Sequence, residues 1–453
     1  MTTLWSPMAL LPNGWANDVA VEIDSTGRIV SVAPNQPEKG QRTGPLVPAP
    51  VNVHSHAFQR AMAGQTEFRG PEGQDSFWSW RRLMYRFLDR LTPDHVQAIA
   101  ALVQMEMLEA GYATNVEFHY LHHAPGGQPY DTLTEMADRI TAASVQSGIG
   151  LTLLPVLYRF GGCDRRALTS GQDRFGNTPG QFAQLVEGLR KSVAKRPDAT
   201  LGIAPHSLRA IAPEDLKTVS DLAENDPIHM HIAEQKAEVD EVQTAFGARP
   251  AEWLLENADI TDQWCLIHCT QMQPHETKGL AQTGAVAGLC PITESSLGDG
   301  IFDGVNWMSH GGRIAIGSDS NIRISLSEEL RTLEYSQRLR DHSRASLATA
   351  NRSTGRNVFE AACTGGAQAA GRATGKIAPG LWADLMALDG EHIDLAGQTG
   401  DSLLDAYIFA GSDRMVRDVW SAGRHMVQNG RHIARDTIVQ AYREAITPLR
   451  EAL

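Results

Sequence analysis

Between residues 46 and 321 one unit recurs eight times: a short apolar run, polar or ionisable residues at its end, then a stretch with helical spacing. The runs are LVPAPVNVHSH, TNVEFHY, GLTLLPVLYR, LGIAPHSLR, IHMHIAEQ, WCLIHCT, AVAGLCPITE and RIAIGSDSN. Strands buried on both faces read as continuous apolar segments, and interleaving them with helices builds a parallel sheet. Eight such units over about 280 residues fit an α/β fold of the (β/α)8 TIM-like barrel type, which typically needs roughly 250. An open doubly wound sheet would carry a glycine-rich phosphate loop after an early strand, and none is present.

The helices announce themselves by their ends. TPDHVQAIAALVQMEMLEAG places Thr92 as N-cap, Pro93 at the first helical position and Gly111 just past the end. Val96, Ile99, Val103, Met107 and Ala110 share one face.

The two ends of the chain have a different rhythm. VAVEIDSTGRIVSVAP alternates apolar and polar residues around Ser25-Thr26-Gly27, a hairpin pattern. GKIAPGLWADLMAL and MVRDVWSAGRHMVQNGRHI repeat that pattern near the C-terminus. Residues 1–48 and 374–453 are therefore expected to build one small β-sandwich domain, with residues 49–373 forming the barrel.

Composition narrows the partners. A net charge of −13 argues against nucleic acid or an anionic membrane, but one pocket can still be locally positive. There is no apolar run long enough to span a bilayer, and MTTLWSPMALLPNG lacks the marks of a signal peptide. The five cysteines form no C-x-x-C pair, so a reducing cytoplasm is expected. Open edges on a small β domain point to self-association, most simply as a dimer.

The chemistry is concentrated at the strand ends, where barrels of this kind carry their active sites. His54 and His56 are two residues apart on a strand, so both rings face one side and can share an ion. His231 is expected as the third histidine; His229 has the same parity one layer deeper, where a hydrogen-bonded core role competes, so the sequence alone does not choose cleanly between them. Glu234, just beyond, has no role inside a strand; it is either a proton carrier or a helix-start glutamate. His268 ends CLIH. Asp319 follows a run of apolar and small residues, where a lone carboxylate is costly to bury without a cation. Three histidines and an aspartate plus water make an open, catalytic metal site. One divalent ion, Zn2+ before others, would lower the pKa of a water to about 7. His268, Glu234 and Asp319 could then move protons.

These motifs, H-x-H followed by HIAEQ, LIHCT and GSDS in this order, resemble the amidohydrolase superfamily, in particular its single-metal deaminase branch. The resemblance covers essentially the whole chain. LLPVLYRF and IAPHSLRA carry no lysine where many two-metal relatives have one, which favours a single metal. HSHAFQRAMAGQTE, DSFWSWRRLMYR, EFHYLHH, APHSLRA and CPITESSLGDGIFDG are similar to members that act on a linear amidine.

That resemblance implies hydrolysis of N-formimino-L-glutamate to N-formyl-L-glutamate and ammonia, a step of histidine degradation. It implies His54, His56, His231 and Asp319 as zinc ligands, and Glu234 and His268 as an acid/base pair. It also implies Gln59, Arg81, Tyr120, His206 and Arg209 as contacts to a small anionic substrate. Two carboxylates on that substrate suit arginine forks. By sequence, Arg82 is as well placed as Arg81, and Tyr120 is as much a core aromatic as a pocket residue. GQTEFRGPEGQDSF, residues 64–77, is the candidate lid. A ring deaminase for purines or pyrimidines and a barrel without chemistry are the competing readings. The nucleobase-flipping zinc deaminases carry a P-C-x-x-C segment, which is absent.

Overall fold

A computed structural model describes residues 1–65, 67 and 84–451. All eight expected strands are present. They are β1 (Val51–Ser55), β2 (Thr114–His119), β3 (Gly150–Leu157), β4 (Ala204–Pro205), β5 (Ile228–Ile232), β6 (Trp264–His268), β7 (Val286–Leu289) and β8 (Arg313–Ile316). They run parallel in the order β4-β3-β2-β1-β8-β7-β6-β5. A parallel bridge between Ile203 and Ile228 joins the two outer strands and closes the ring. A short strand, Ala199–Leu201, pairs with β3 ahead of β4.

Every residue of the eight strands except Arg313 is buried. That burial on both faces is why they read as unbroken apolar runs. The helix Pro93–Glu109 begins as its sequence dictates: the Thr92 hydroxyl accepts the His95 N–H at 3.3 Å, with Pro93 following the cap.

The chain ends meet in a second sheet of nine strands. Leu46–Pro48 pairs antiparallel with Leu385–Leu388, which stitches the N-terminal strands to the C-terminal ones. This sheet has its own core, including Leu4, Val19, Val21, Ile29, Leu385 and Trp420. At its Asp24–Arg28 turn, Gly27 has φ of 90°, and a Cβ there would lie 2.0 Å from the Ala422 carbonyl oxygen. Only glycine fits both constraints. The chain after this sheet is not β: Arg435–Glu451 is a helix that packs against Pro93–Glu109.

The small sheet is fastened to the barrel at the starts of β2 and β3. The Ser421 hydroxyl donates to the Ala113 carbonyl at 2.8 Å and accepts the Gly150 N–H at 2.9 Å. Buried Arg372 holds Asp384 through Nε at 2.8 Å, and Asp384 accepts the Ala422 N–H at 2.7 Å. These fastenings lie at the N-terminal end of the barrel, which carries stability, and leave the opposite end to the chemistry.

Candidate active site

The site begins with a buried clip between the ends of β1 and β8. Asn52 donates to the Ser318 hydroxyl at 2.7 Å and accepts the Ser318 N–H at 3.2 Å. Ser318 donates on to Asn321, whose amide reaches the Ser55 hydroxyl at 3.1 Å. The Asp319 N–H donates to the His54 carbonyl at 2.8 Å. Gly317 lies so close that a Cβ would sit 2.7 Å from the His54 nitrogen. Asp319 itself has φ of 45°, an unfavoured conformation that this packing imposes. On the other side of β1, Glu117 accepts the Ala57 N–H at 2.7 Å and fixes the exit of the chain after His56. Burial pushes the Glu117 carboxyl up to about 7.

Four side chains converge above this clip. The Nε2 atoms of His54 and His231 face each other at 3.0 Å. Asp319 Oδ1 lies 3.3 Å from His56 Nε2 and 3.6 Å from His54 Nε2. The far nitrogens explain the orientation: His56 Nδ1 donates to the Phe118 carbonyl at 3.0 Å, and His231 Nδ1 to the His206 carbonyl at 3.2 Å. With Nδ1 carrying the proton, Nε2 presents a lone pair inward, the second-sphere pattern of metal-bound imidazoles. Burial drives His56 down to about 3 and keeps His54 and His231 well below the ordinary histidine value. Neutral imidazole lone pairs aimed at one point beside a carboxylate fit a divalent ion such as zinc. His229 is directed elsewhere: its Nε2 bonds the Ala369 carbonyl at 2.7 Å.

Beside this set lies a group suited to proton transfer. His268 has φ of 72° and Nε2 at 3.9 Å from both Asp319 Oδ2 and Glu234 Oε1. Burial alone would lower its pKa, but the carboxylates of Glu234, Glu294 and Asp319 outweigh that and lift it to about 10. Burial, with Glu234 and Glu294 adding to it against His268, pushes Asp319 up to about 7. Glu234 is held through its backbone, whose N–H donates to Glu238 at 3.0 Å.

Two acids here escaped the strand-end reading. Glu294 lies 3.3 Å from His268 Nδ1, and Asp299 accepts from the Gln235 amide. Burial, then Glu234, raises Asp299 to about 9. The signal for Glu294 was present in CPITE, four residues after Cys290 at the mouth of β7. His268, Cys290 and Glu294 form a second compact donor set. There, however, Glu294 Oε1 is engaged by the Cys290 N–H at 2.8 Å, and burial keeps the Cys290 thiol protonated.

A cleft above these groups is lined by Gln59, Tyr120, Tyr158, His206 and Arg209 together with His56, Glu234, His268 and Asp319. Gln59 donates to the Tyr120 hydroxyl at 2.8 Å, and its own Oε1 is buried without a partner among the described residues. Tyr120 packs on Phe175, with ring centroids 4.7 Å apart. Arg209 Nε is likewise buried and unpartnered among the described residues. Burial works against the Arg209 cation, but Glu238, Tyr158 and Glu234 more than compensate. Arg81, Arg82 and most of the candidate lid 64–77 lie outside the described residues.

A parallel barrel with an H-x-H clamp, a third histidine on β5 and an aspartate after β8 defines a metal-dependent hydrolase architecture. Residues 46–426 match the family described as the amidohydrolase family, and the chain belongs to it. Residues 1–42 match the N-terminal domain of formimidoylglutamate deiminase HutF. The chain is 44% identical over 453 residues to formimidoylglutamate deiminase of Pseudomonas aeruginosa, covering 99% of this chain and 100% of that protein. It is 25% identical over 450 residues to 8-oxoguanine deaminase of the same organism, covering 93% and 94%. Among solved structures, an amidohydrolase from Brucella melitensis superposes with a TM-score of 0.95 at 45% identity, covering 99% and 100% of the two chains. An adenosine deaminase from Xanthomonas campestris with bound zinc shares the fold at a TM-score of 0.83 and 21% identity, covering 99% and 98%.

Proposed function

We propose that this chain hydrolyses the formimino group of N-formimino-L-glutamate, giving N-formyl-L-glutamate and ammonia in histidine degradation. The observation that carries this reading is the half-buried Arg209, whose guanidinium Nε is buried and which lines the same cleft as His268, Glu234 and Asp319. A cation in that cleft suits an anionic substrate rather than a neutral ring. The full-length likeness to a formimidoylglutamate deiminase supports the same substrate.

His54, His56, His231 and Asp319 would hold one Zn2+, which when bound supplies Lewis-acid activation of the attacking water. The substrate's carboxylates meet Arg209, with Arg81, outside the described residues, as the other proposed contact, and the formimino carbon is thereby held over the ligand set. Holding reactants in register contributes roughly 7–11 kcal/mol at its best. Asp319, pushed up to about 7, takes a proton from the attacking water as its oxygen bonds to the formimino carbon, and the protonated His268 ring 3.9 Å away stabilises the negative charge that develops. The carbon–nitrogen double bond becomes single, and Glu234 passes a proton to that nitrogen. The proton of the remaining hydroxyl passes to that same nitrogen, the bond between it and the carbon breaks, ammonia leaves and the formyl group remains on the glutamate nitrogen. Gln59, braced by Tyr120, offers its free oxygen to an N–H of the amidine.

The same reading places the enzyme in the cytoplasm, where its five buried, unpaired cysteines stay reduced. No described helix is long and apolar enough to cross a membrane. The outer strands of the nine-stranded sheet, Ile29–Ala33 and Arg431–His432, offer edges for a homodimer.

Steady-state ammonia release from zinc-loaded protein tests the function, with N-formimino-L-glutamate beside adenine, guanine and cytosine derivatives. Release from the amidine alone is expected. Release from a ring and none from the amidine would overturn the assignment.

A further inference from the structure

The chain turns sharply between a proposed metal ligand and the proposed proton carrier. His231 lies on β5, and Glu234 comes shortly after the strand ends. Between them Ala233 has φ of 50°, in the left-handed region that a residue with a Cβ seldom adopts. Such a conformation persists only where its surroundings impose it. Glu238, 2% exposed, meets this turn from the helix that follows, Lys236–Phe246. Its Oε1 accepts the Ala233 N–H at 3.2 Å and its Oε2 the Glu234 N–H at 3.0 Å.

We infer that Glu238 is a positioning residue for Glu234: one buried carboxyl group grips both N–H groups of the left-handed turn and so sets where the Glu234 side chain enters the cleft. This role rests on the function proposed above only for the task of Glu234 as proton carrier.

The arrangement differs from ordinary helix capping. A glutamate at the third helical position usually reaches back to the N–H of the N-cap residue. Here the N-cap is Gln235, and Glu238 reaches beyond it to the two residues before. The carbonyl side of the turn is tied to the residues after His268. The Thr270 hydroxyl donates to the Glu234 carbonyl at 2.7 Å, and the Gln271 N–H to the Ala233 carbonyl at 2.8 Å. Glu234 is thus held between its own helix and the end of β6, with its Oε1 3.9 Å from His268 Nε2. Glu238 also neighbours the proposed substrate clamp. Among the charges around it Arg209 acts most strongly, and Glu238 is in turn the charge that acts most strongly on Arg209.

Glu238→Gln keeps the size of the side chain but sets an amide NH2 against one of the two backbone donors. In the zinc-loaded enzyme kcat should fall roughly 10–100-fold, because a misplacement of about 1 Å can cost about 100-fold, while KM and zinc content keep their wild-type values. A double-mutant cycle separates positioning from stability. In a Glu234→Gln background the same substitution should change kcat by less than about 2-fold, because no proton carrier is left to misplace. Equal losses in the two backgrounds, an unchanged kcat in the single variant, or a loss that tracks lost zinc would each overturn the inference. A crystal structure of Glu238→Gln gives a readout that needs no substrate: the Ala233–Glu234 turn should be displaced. A turn in its original place would also overturn the inference, whether or not N-formimino-L-glutamate proves to be the substrate.

Discussion

His56 and Asp319 are joined twice: the His56 backbone N–H donates to the Asp319 carbonyl at 3.0 Å, and His56 Nε2 lies 3.3 Å from Asp319 Oδ1. One contact belongs to the sheet and the other to the ligand set. The spacing between two proposed ligands from opposite ends of the barrel domain is therefore set by strand pairing, and it tolerates little movement.

Gly317→Ala should expose that intolerance. The new methyl would meet the His54 backbone at 2.7–2.9 Å, and backbone cannot step aside as a flexible side chain can. The β1–β8 spacing must widen and pull Asp319 away from the histidines. Zinc affinity, measured by competition with a chelator, should fall by at least about 10-fold, as for other losses of ligand support. Wild-type affinity in the alanine variant would show that the clip does not govern the ligand set.

Arg209→Met removes the half-buried charge proposed to meet a substrate carboxylate. Hydrogen bonds to charged groups contribute about 1.5–3 kcal/mol, so KM should rise roughly 10–100-fold. Zinc content should remain unchanged, because Arg209 is not part of the ligand set. A normal KM would exclude it as the clamp.

Burial holds His119 down at about 4, against an ordinary value of 6.5. The unfolded chain therefore takes up this proton first as pH falls. The stability associated with neutral His119 is complete above pH 6.5 and is lost progressively toward pH 4, to a limit of about 3 kcal/mol. Denaturation midpoints at pH 7 and pH 4.5 should differ less in His119→Asn than in the wild type. Equal differences in both proteins would remove His119 from the acid response.

Asp384→Ala would strand the buried Arg372 cation and free the Ala422 N–H. Removing one partner of a buried pair costs about 3–5 kcal/mol. Chemical denaturation should show that loss while KM stays at its wild-type value, because the pair lies at the end of the barrel away from the cleft. A changed KM with intact stability would contradict this division between the two ends.

The barrel was legible in the sequence because its strands are buried on both faces, which leaves a one-dimensional trace. His54 and His56 were legible because a two-residue spacing fixes a shared side. His229 and His231 share that spacing too. What separates them is the Ala369 carbonyl, 140 residues away, and no local pattern records it. Glu294 and Asp299 stayed hidden for a related reason: they reach the site only because β6 and β7 are neighbours. The C-terminal helix was missed because its buried residues, Ile438, Ile446 and Leu449, are few and Pro448 sits among them. Its support is tertiary, from Pro93–Glu109.

The His206 carbonyl accepts both the backbone N–H of His231 at 3.0 Å and its ring Nδ1 at 3.2 Å, while the His206 side chain lines the cleft. One residue thus touches whatever occupies the cleft and also aims a proposed ligand. A cleft occupant that draws on His206 alters the seat of the ion, and an ion that fixes His231 restrains His206 in turn. Thermodynamic reciprocity makes the two couplings equal in size. The ion and the occupant are then co-ligands of a single structural unit, each measurable through its effect on the other's dissociation.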